Sequence, residues 1–298
     1  MDAAFACDRY RQIRDRLPAS NRRPTPRAAD SLAELAGEFD CFVLDGFGVL
    51  NVGDQPIAGV AGRLAQLRAM GRQLLVLTNG ASFPTENTVD KYRRWGMAFE
   101  RADVVSSRDA LAQGLASYPA QMRWGFMAPA NGSIDGLTRH GTVLADEARA
   151  YDQAEGFVLL GSGEWTERRQ ALLAAALGRR PRPVLVGNPD LTAPREHDFS
   201  YEPGFFAHAL ADAGVAEPVF YGKPFGNAFA RIRERLPAGL APERVAMVGD
   251  TLHTDILGGQ AAGFRSVLVT AHGLMKTLDI DAQCARSDIW PDFIIGSP

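Results

Sequence analysis

At 298 residues, with 46% hydrophobic and 22% charged residues, the chain has the make-up of an ordinary folded protein of about two domains. A formal charge of −3 argues against a general nucleic-acid binder. Cys7, Cys41 and Cys284 are widely spaced and lack any CxxC pair, which excludes a disulfide framework and a thiolate metal site and fits a reducing compartment.

Residues 1–38 read as a helical extension. Tyr10, Ile13 and Leu17 fall at helical spacing before the break at Pro18, a Pro- and Arg-containing linker follows, and a second short helix starts near Ser31. Asp2, Asp8 and Asp15 alternate with arginines and no long apolar run occurs, so neither a signal peptide nor a membrane span is expected and the location reads as cytoplasmic. The arginines from Arg11 to Arg27 read as a solvated face.

The run CFVL at 41–44 has the pattern of a strand buried on both faces of a parallel sheet, and it ends at Asp45. Gly46 and Gly48 let the backbone turn and present its amides, which makes an anion-binding loop. A helix opened by Pro56 puts Ile57, Val60, Ala61, Leu64 and Leu67 on one face and stops at Gly71. A strand over 74–77 then leads to Thr78 and Asn79, completing a βαβ unit, and a helix follows over 84–95.

Residues 98–216 repeat the alternation. Strands are expected at 104–106, 124–127, 157–160 and 184–186, and helices near 108–117, 133–139 and 166–178. The first pattern resumes over 217–298, with a strand at 219–221 before Gly222 and Lys223, a helix over 227–236, a strand at 245–248 before Gly249 and Asp250, a helix over 254–262 and a strand at 266–270. The last stretch, IWPDFIIGSP, reads as an edge strand. The expected fold is α/β: a Rossmann-like parallel-sheet core of residues 39–97 and 217–298, carrying an inserted α/β domain of residues 98–216 that covers the crevice as a lid.

Four strands thus each deliver a polar group to a loop, and loops at the carboxyl ends of parallel strands converge on one crevice. Asp250 and Asp255 lie around a strand-to-helix turn where both face the Asp45 loop. Carboxylates gathered at one place repel unless a cation joins them, and hard oxygen ligands of this kind suit Mg²⁺. Lys223 adds a positive charge, and Thr78 with the amides of Asn79 and Gly80 adds donors. These are the parts of phosphoryl transfer through an aspartyl-phosphate.

The order of an Asp loop, a Thr loop (LTNG, 77–80), a Lys loop (YGKP, 221–224) and VGDTLHTDILGGQAAG (248–263) resembles the haloacid dehalogenase superfamily. The long insertion between the Thr and Lys loops resembles that of its class IIA phosphatases, of the p-nitrophenyl phosphatase and pyridoxal phosphate phosphatase type, which carry a large α/β cap there. Gly258 and Gly259 agree with this, since glycines inside a helix point to close backbone packing.

The resemblance implies that Asp45 is the nucleophile, that Thr78 and Lys223 are catalytic, and that Gly46, Thr78, Asn79, Gly80 and Lys223 hold the phosphoryl group. It implies a Mg²⁺ site of Asp45, the Phe47 carbonyl oxygen and Asp250, with Asp255 as a ligand or an acceptor behind the ligands. In GNPD, Asn188 and Asp190 lie where such caps approach substrate, or else form a plain Asn-Pro turn. A small phosphorylated metabolite is the implied substrate, with no nucleic acid or membrane partner and a homodimer through the cap as the implied assembly.

One position departs from the pattern. The family's first loop carries a second Asp that acts as general acid and base, and Phe47 stands in its place. The expectation is a phosphatase slowed by this change or restricted to good leaving groups. His253 is the nearest alternative proton donor by sequence, and otherwise a solvent-facing loop residue. A dehalogenase, or a protein that binds phosphate ligands with little turnover, are the other readings.

Overall fold

A computed structural model describes residues 2–195 and 198–298. The N-terminal segment forms α1 (Ala3–Gln12), capped by the Asp2 carboxylate, and a short strand β1 (Arg27–Ala28). Next come β2 (Cys41–Leu44), the hairpin β3 (Asn51–Val52) and β4 (Gln55–Pro56), α2 (Val60–Ala69), β5 (Gln73–Thr78), α3 (Thr85–Arg94), β6 (Val104–Ser106) and α4 (Ser107–Leu115). The middle of the chain gives β7 (Trp124–Met127), β8 (Gly141–Val143), α5 (Ala148–Gln153), β9 (Gly156–Leu159), α6 (Glu167–Arg179), β10 (Val184–Val186), the ribbon β11 (Thr192–Pro194) and β12 (Phe199–Tyr201), α7 (Pro203–Asp212) and β13 (Val219–Phe220). The chain closes with α8 (Gly226–Arg233), β14 (Val245–Gly249), α9 (Leu257–Ala261), β15 (Arg265–Val269), α10 (Ile280–Ser287) and β16 (Phe293–Ile295).

The architecture is α/β, with two parallel sheets. One has seven strands in the order β1-β16-β15-β14-β2-β5-β6, the other five in the order β13-β10-β9-β7-β8. Strand β2 sits in the middle of the larger sheet and is buried at every position, as its unbroken apolar run requires. Its alternate residues feed two cores. Phe42 and Leu44 pack with Leu64 and Leu67 of α2, whereas Cys41 and Val43 pack with Phe229 and Ile232 of α8. All three cysteines are buried and free. Among the described residues, no helix is long and apolar enough to cross a membrane.

Several elements differ from the sequence expectation. Val104–Ser106 pairs with Val76–Thr78 in the larger sheet instead of the insert, because otherwise β5 would leave its hydrogen-bonding edge uncovered. Conversely, Val219–Phe220 pairs with β10, and the Tyr221 amide donates to the Val186 carbonyl, so the strand before Lys223 belongs to the smaller sheet. We therefore propose that the chain crosses into the cap near 106–107 and returns near 221–222.

Pro56 lies in the β3–β4 hairpin and α2 begins only after Gly59, whose φ of 81° breaks the run. Residues 133–139 form no helix and turn at 135–137: the Arg108 guanidinium donates to the carbonyls of Ser133 and Asp135, and Gly136 has a φ of 76°. The terminal stretch forms β16 but not the edge, which is β1. The N-terminal arginines are tied down. Arg16 pairs with Asp212, Arg22 with Asp292, Arg23 with Asp288 and Arg27 with Glu38, since carboxylates of the chain lie within their reach.

Candidate active site

Parallel pairing ends β5, β2 and β14 side by side, which brings Thr78, Asp45 and Asp250 to one edge of the sheet. Lys223 arrives on the segment returning from the smaller sheet. Its Nζ lies 2.5 Å from Asp45 Oδ1 and 2.6 Å from Asp255 Oδ1, and the residue is 1% exposed. Asn79 fixes this loop: its Oδ1 accepts from the Lys223 amide at 2.7 Å and its Nδ2 donates to the Lys223 carbonyl at 3.0 Å. The amide of Gly46 donates to Asp45 Oδ1 at 2.6 Å, and that of Gly80 to Thr78 Oγ1 at 3.2 Å. The side chain of Asn79 and these two amides are therefore engaged within the loops.

Asp250 accepts from Thr251 Oγ1 at 2.9 Å and from the Leu274 amide at 2.8 Å. Two glycines make room for it. A Cβ on Gly48 would lie 2.4 Å from Asp250 Oδ2 and one on Gly273 only 1.7 Å away, and both have positive φ. A wide helical turn over Leu252–Ile256 carries Asp255, whose Oδ2 accepts from the Thr251 amide at 3.2 Å. Behind it, Cβ atoms on Gly258 and Gly259 would strike Phe229 and Met247, each 2.6 Å away, so these glycines do serve close packing.

Asp45, Asp250 and Asp255 offer carboxylate oxygens within 4.8 Å of one another. Burial, opposed by Lys223 and reinforced by Asp255, Asp250 and Asp190, holds the Asp45 carboxyl well above its ordinary range. Burial and the Asp255 charge push Asp250 up to about 7. For Lys223, burial disfavours the ammonium, but Asp255, Asp45 and Asp190 outweigh it and hold the pKa above its usual value. Three buried carboxylates thus face one cation, and a divalent ion with a preference for hard oxygen ligands fits this donor set. We expect Lys223→Met to cost about 3 to 5 kcal/mol in chelator, because buried charge then stands unpaired. Denaturant unfolding of the two proteins checks this, and equal midpoints would contradict it.

From the cap, Asp190 reaches the core: its Oδ1 accepts from Asn79 Nδ2 at 2.8 Å, and burial lifts its pKa to about 7. Asn188 turns the other way, its Oδ1 accepting from the Asp190 amide and its Nδ2 donating to Glu202. His253 is neither exposed nor at the crevice mouth. It is fully buried, stacks on Tyr10 at 5.0 Å and 6°, and burial pushes its pKa down to about 3. The tyrosine that covers it accepts a hydrogen bond from the Leu191 amide of the cap.

Sequence reasoning missed the surroundings of Phe47. This half-buried ring lies 5.2 Å from Lys91 Nζ and 5.7 Å from the Arg195 guanidinium. Lys91 reads as an ordinary basic residue at a helix end, and Arg195 is far off in sequence, so no local pattern joins them. A cleft of about 520 Å³ lined by Leu115, Tyr118, Trp124 and Leu137 lies elsewhere on the cap, away from the carboxylates.

A family model described as haloacid dehalogenase-like hydrolase matches residues 42–141, and a second, described as HAD-hydrolase-like, matches residues 220–296. An acid sugar phosphatase of Staphylococcus aureus is 26% identical over 235 residues, spanning 78% of this chain and 86% of that protein. The structure of a possible sugar phosphatase from Cytophaga hutchinsonii covers 92% of this chain and 98% of its own, with a TM-score of 0.78 and 23% identity. A glycerol phosphate phosphatase from Mycobacterium tuberculosis, in complex with calcium, covers 80% of this chain and 68% of its own, at a TM-score of 0.62 and 25% identity. Matched at both ends of its larger sheet by models of one superfamily, the chain belongs to the haloacid dehalogenase-like hydrolases, and its relatives there are phosphatases.

Proposed function

We propose that this protein is a Mg²⁺-dependent phosphatase of small phosphorylated metabolites that works through an aspartyl-phosphate on Asp45. The observation that carries the reading is the convergence of Asp45, Lys223, Asp250 and Asp255 at adjoining loops, with more buried negative charge than the chain itself compensates. The names of the relatives support the phosphatase chemistry, and calcium in the glycerol phosphate phosphatase supports a divalent cation.

Asp45, Asp250 and the Phe47 carbonyl would hold the ion. Asp255 is bound to Lys223 and to the Thr251 amide, so we assign it to orienting those groups. Bound there, Mg²⁺ neutralises the carboxylates and the oxygens of the phosphoryl group. Asp45 has one oxygen engaged by Lys223 and Gly46, which leaves the other as the nucleophile. Asp45 attacks, the bond from phosphorus to the leaving-group oxygen breaks, and Lys223 and Thr78 hold the transferred group. Water then attacks phosphorus, the bond to Asp45 breaks, and phosphate leaves.

With Phe47 in place of a second carboxylate, the leaving oxygen departs without a donated proton, which favours aryl and acyl phosphates over alkyl ones. Halide displacement by Asp45 would leave Asp250 and its glycine-lined niche without a task.

The test is release of p-nitrophenol from p-nitrophenyl phosphate before and after chelation. We expect a fall of about 100-fold or more, since such an ion contributes several kcal/mol, and recovery on adding Mg²⁺. An unchanged rate in chelator would remove the metal from the account.

A further inference from the structure

We infer that Lys91 and Arg195 form a second anion subsite beside Phe47, and that the substrate carries a carboxylate or another acidic group besides its phosphoryl group. This rests on the phosphatase reading and names its substrate class. The two cations come from separate parts of the molecule, Lys91 from the last turn of α3 and Arg195 from the loop after β11 in the cap. Both approach the Phe47 ring, two residues beyond Asp45 in the chain.

Lys91 has its ammonium among three aromatic faces, those of Phe47, Tyr92 and Trp95, at 5.1 to 5.5 Å. Among the described residues no carboxylate lies within ion-pair distance of it. Burial, and repulsion by Arg195 and Arg94 against the attraction of Asp54, lower its pKa. Arg195 is oriented from behind: its Nη2 donates to Glu202 Oε1 at 3.0 Å and its Nε to Ser200 Oγ at 3.0 Å. Glu202 is itself buried and held by Asn188, so the guanidinium, though partly exposed, has a buried anchor. Two like charges held near one apolar ring repel each other, and an anion placed between them removes that cost.

Phe47 fits the same scheme. An aspartate at this position would pair with Lys91 and repel an acidic substrate, whereas the phenyl ring offers an apolar platform and leaves open the Lys91 ammonium and the Arg195 donors not held by Glu202 and Ser200. Lys91 stands on α3 and Arg195 follows β11, so an anion held by both would bridge the two parts of the molecule.

The experiment compares kcat/KM for meta- and para-carboxyphenyl phosphate with that for their methyl esters, which keep an aryl leaving group but lose the charge. The ratio of acid to ester is read, so the fraction of folded enzyme cancels. We expect the wild type to favour at least one acid by about tenfold or more, the size of a hydrogen bond to a charged group, and Lys91→Gln and Arg195→Gln each to reduce that ratio by a similar factor. Lys91→Gln keeps the stem against the ring, and Lys91→Glu is expected to invert the preference. A wild-type ratio near one, or a ratio that survives both glutamine variants, overturns the subsite while leaving the phosphatase. No release from any of these esters or from p-nitrophenyl phosphate overturns the phosphatase reading, and the subsite with it.

Discussion

Asp45→Asn is expected to abolish turnover of p-nitrophenyl phosphate, by about 10⁴-fold or more, while leaving a folded protein that is no less stable than the wild type in chelator. The amide has the shape of the carboxylate but cannot form the covalent intermediate. On the stability side, the wild-type carboxyl is buried and repelled by Asp255, Asp250 and Asp190, and among the described residues Lys223 is its one cationic partner. Removing its charge relieves that repulsion, and Lys223 keeps Asp255. Stability sacrificed at a reactive site in this way is the usual trade. Steady-state kinetics with Mg²⁺ and thermal unfolding in chelator check both halves. A variant retaining a tenth of the activity would end the covalent mechanism, and a large drop in midpoint would mean that Asp45 is held chiefly for structure.

Phe47→Asp carries the second large effect, in the opposite direction. With p-nitrophenyl phosphate the first step needs little help, because the leaving group is already a good anion. The second step still lacks a base for water. The aspartyl-phosphate is therefore expected to accumulate in the wild type, giving a burst of p-nitrophenol of about one per active site before a slow steady rate. An aspartate at 47, held ionised by Lys91 and Arg195, supplies the base, and general-base catalysis contributes about 10²- to 10⁴-fold. We expect the lower end, about 10²-fold in the steady-state rate, because pairing with the two cations weakens the base. Rapid mixing with the colorimetric substrate follows both features. A wild type without a burst, together with a variant no faster than it, would place the slow step outside proton transfer.

The parts of this site that were legible in the sequence are those whose chemistry is local. CFVL ending in Asp45, LLVL ending before Thr78, and VAMVGD are apolar runs that each hand one polar residue to a turn, and the structure sets them side by side in β2, β5 and β14. Gly258 and Gly259 advertised a close approach that exists. What failed was decided by distant partners. The two short strands β6 and β13 changed sheets because two or three residues pair with whichever edge is open, and that edge is a tertiary fact. The stretch 133–139 has the apolar spacing of a helix, which cannot reveal the guanidinium of Arg108 reaching its carbonyls. Helices α5, α7 and α10 leave no clear signal in the sequence, their patterns being short or interrupted. His253 follows a loop motif and so read as exposed, whereas α1 folds back and lays Tyr10 over it. Lys91 and Arg195 carry no shared pattern at all, and only the packing of cap on core brings both to Phe47.

The central claim is that the phosphoryl group passes through Asp45, and the most direct measurement is mass spectrometry of the protein acid-quenched during Mg²⁺-supported turnover of p-nitrophenyl phosphate. The account predicts one added phosphoryl group on the peptide that contains Asp45, built up because the second step is slow, and none in Asp45→Asn. Turnover with no phosphoryl group on the protein, or with the group on another residue, would contradict it.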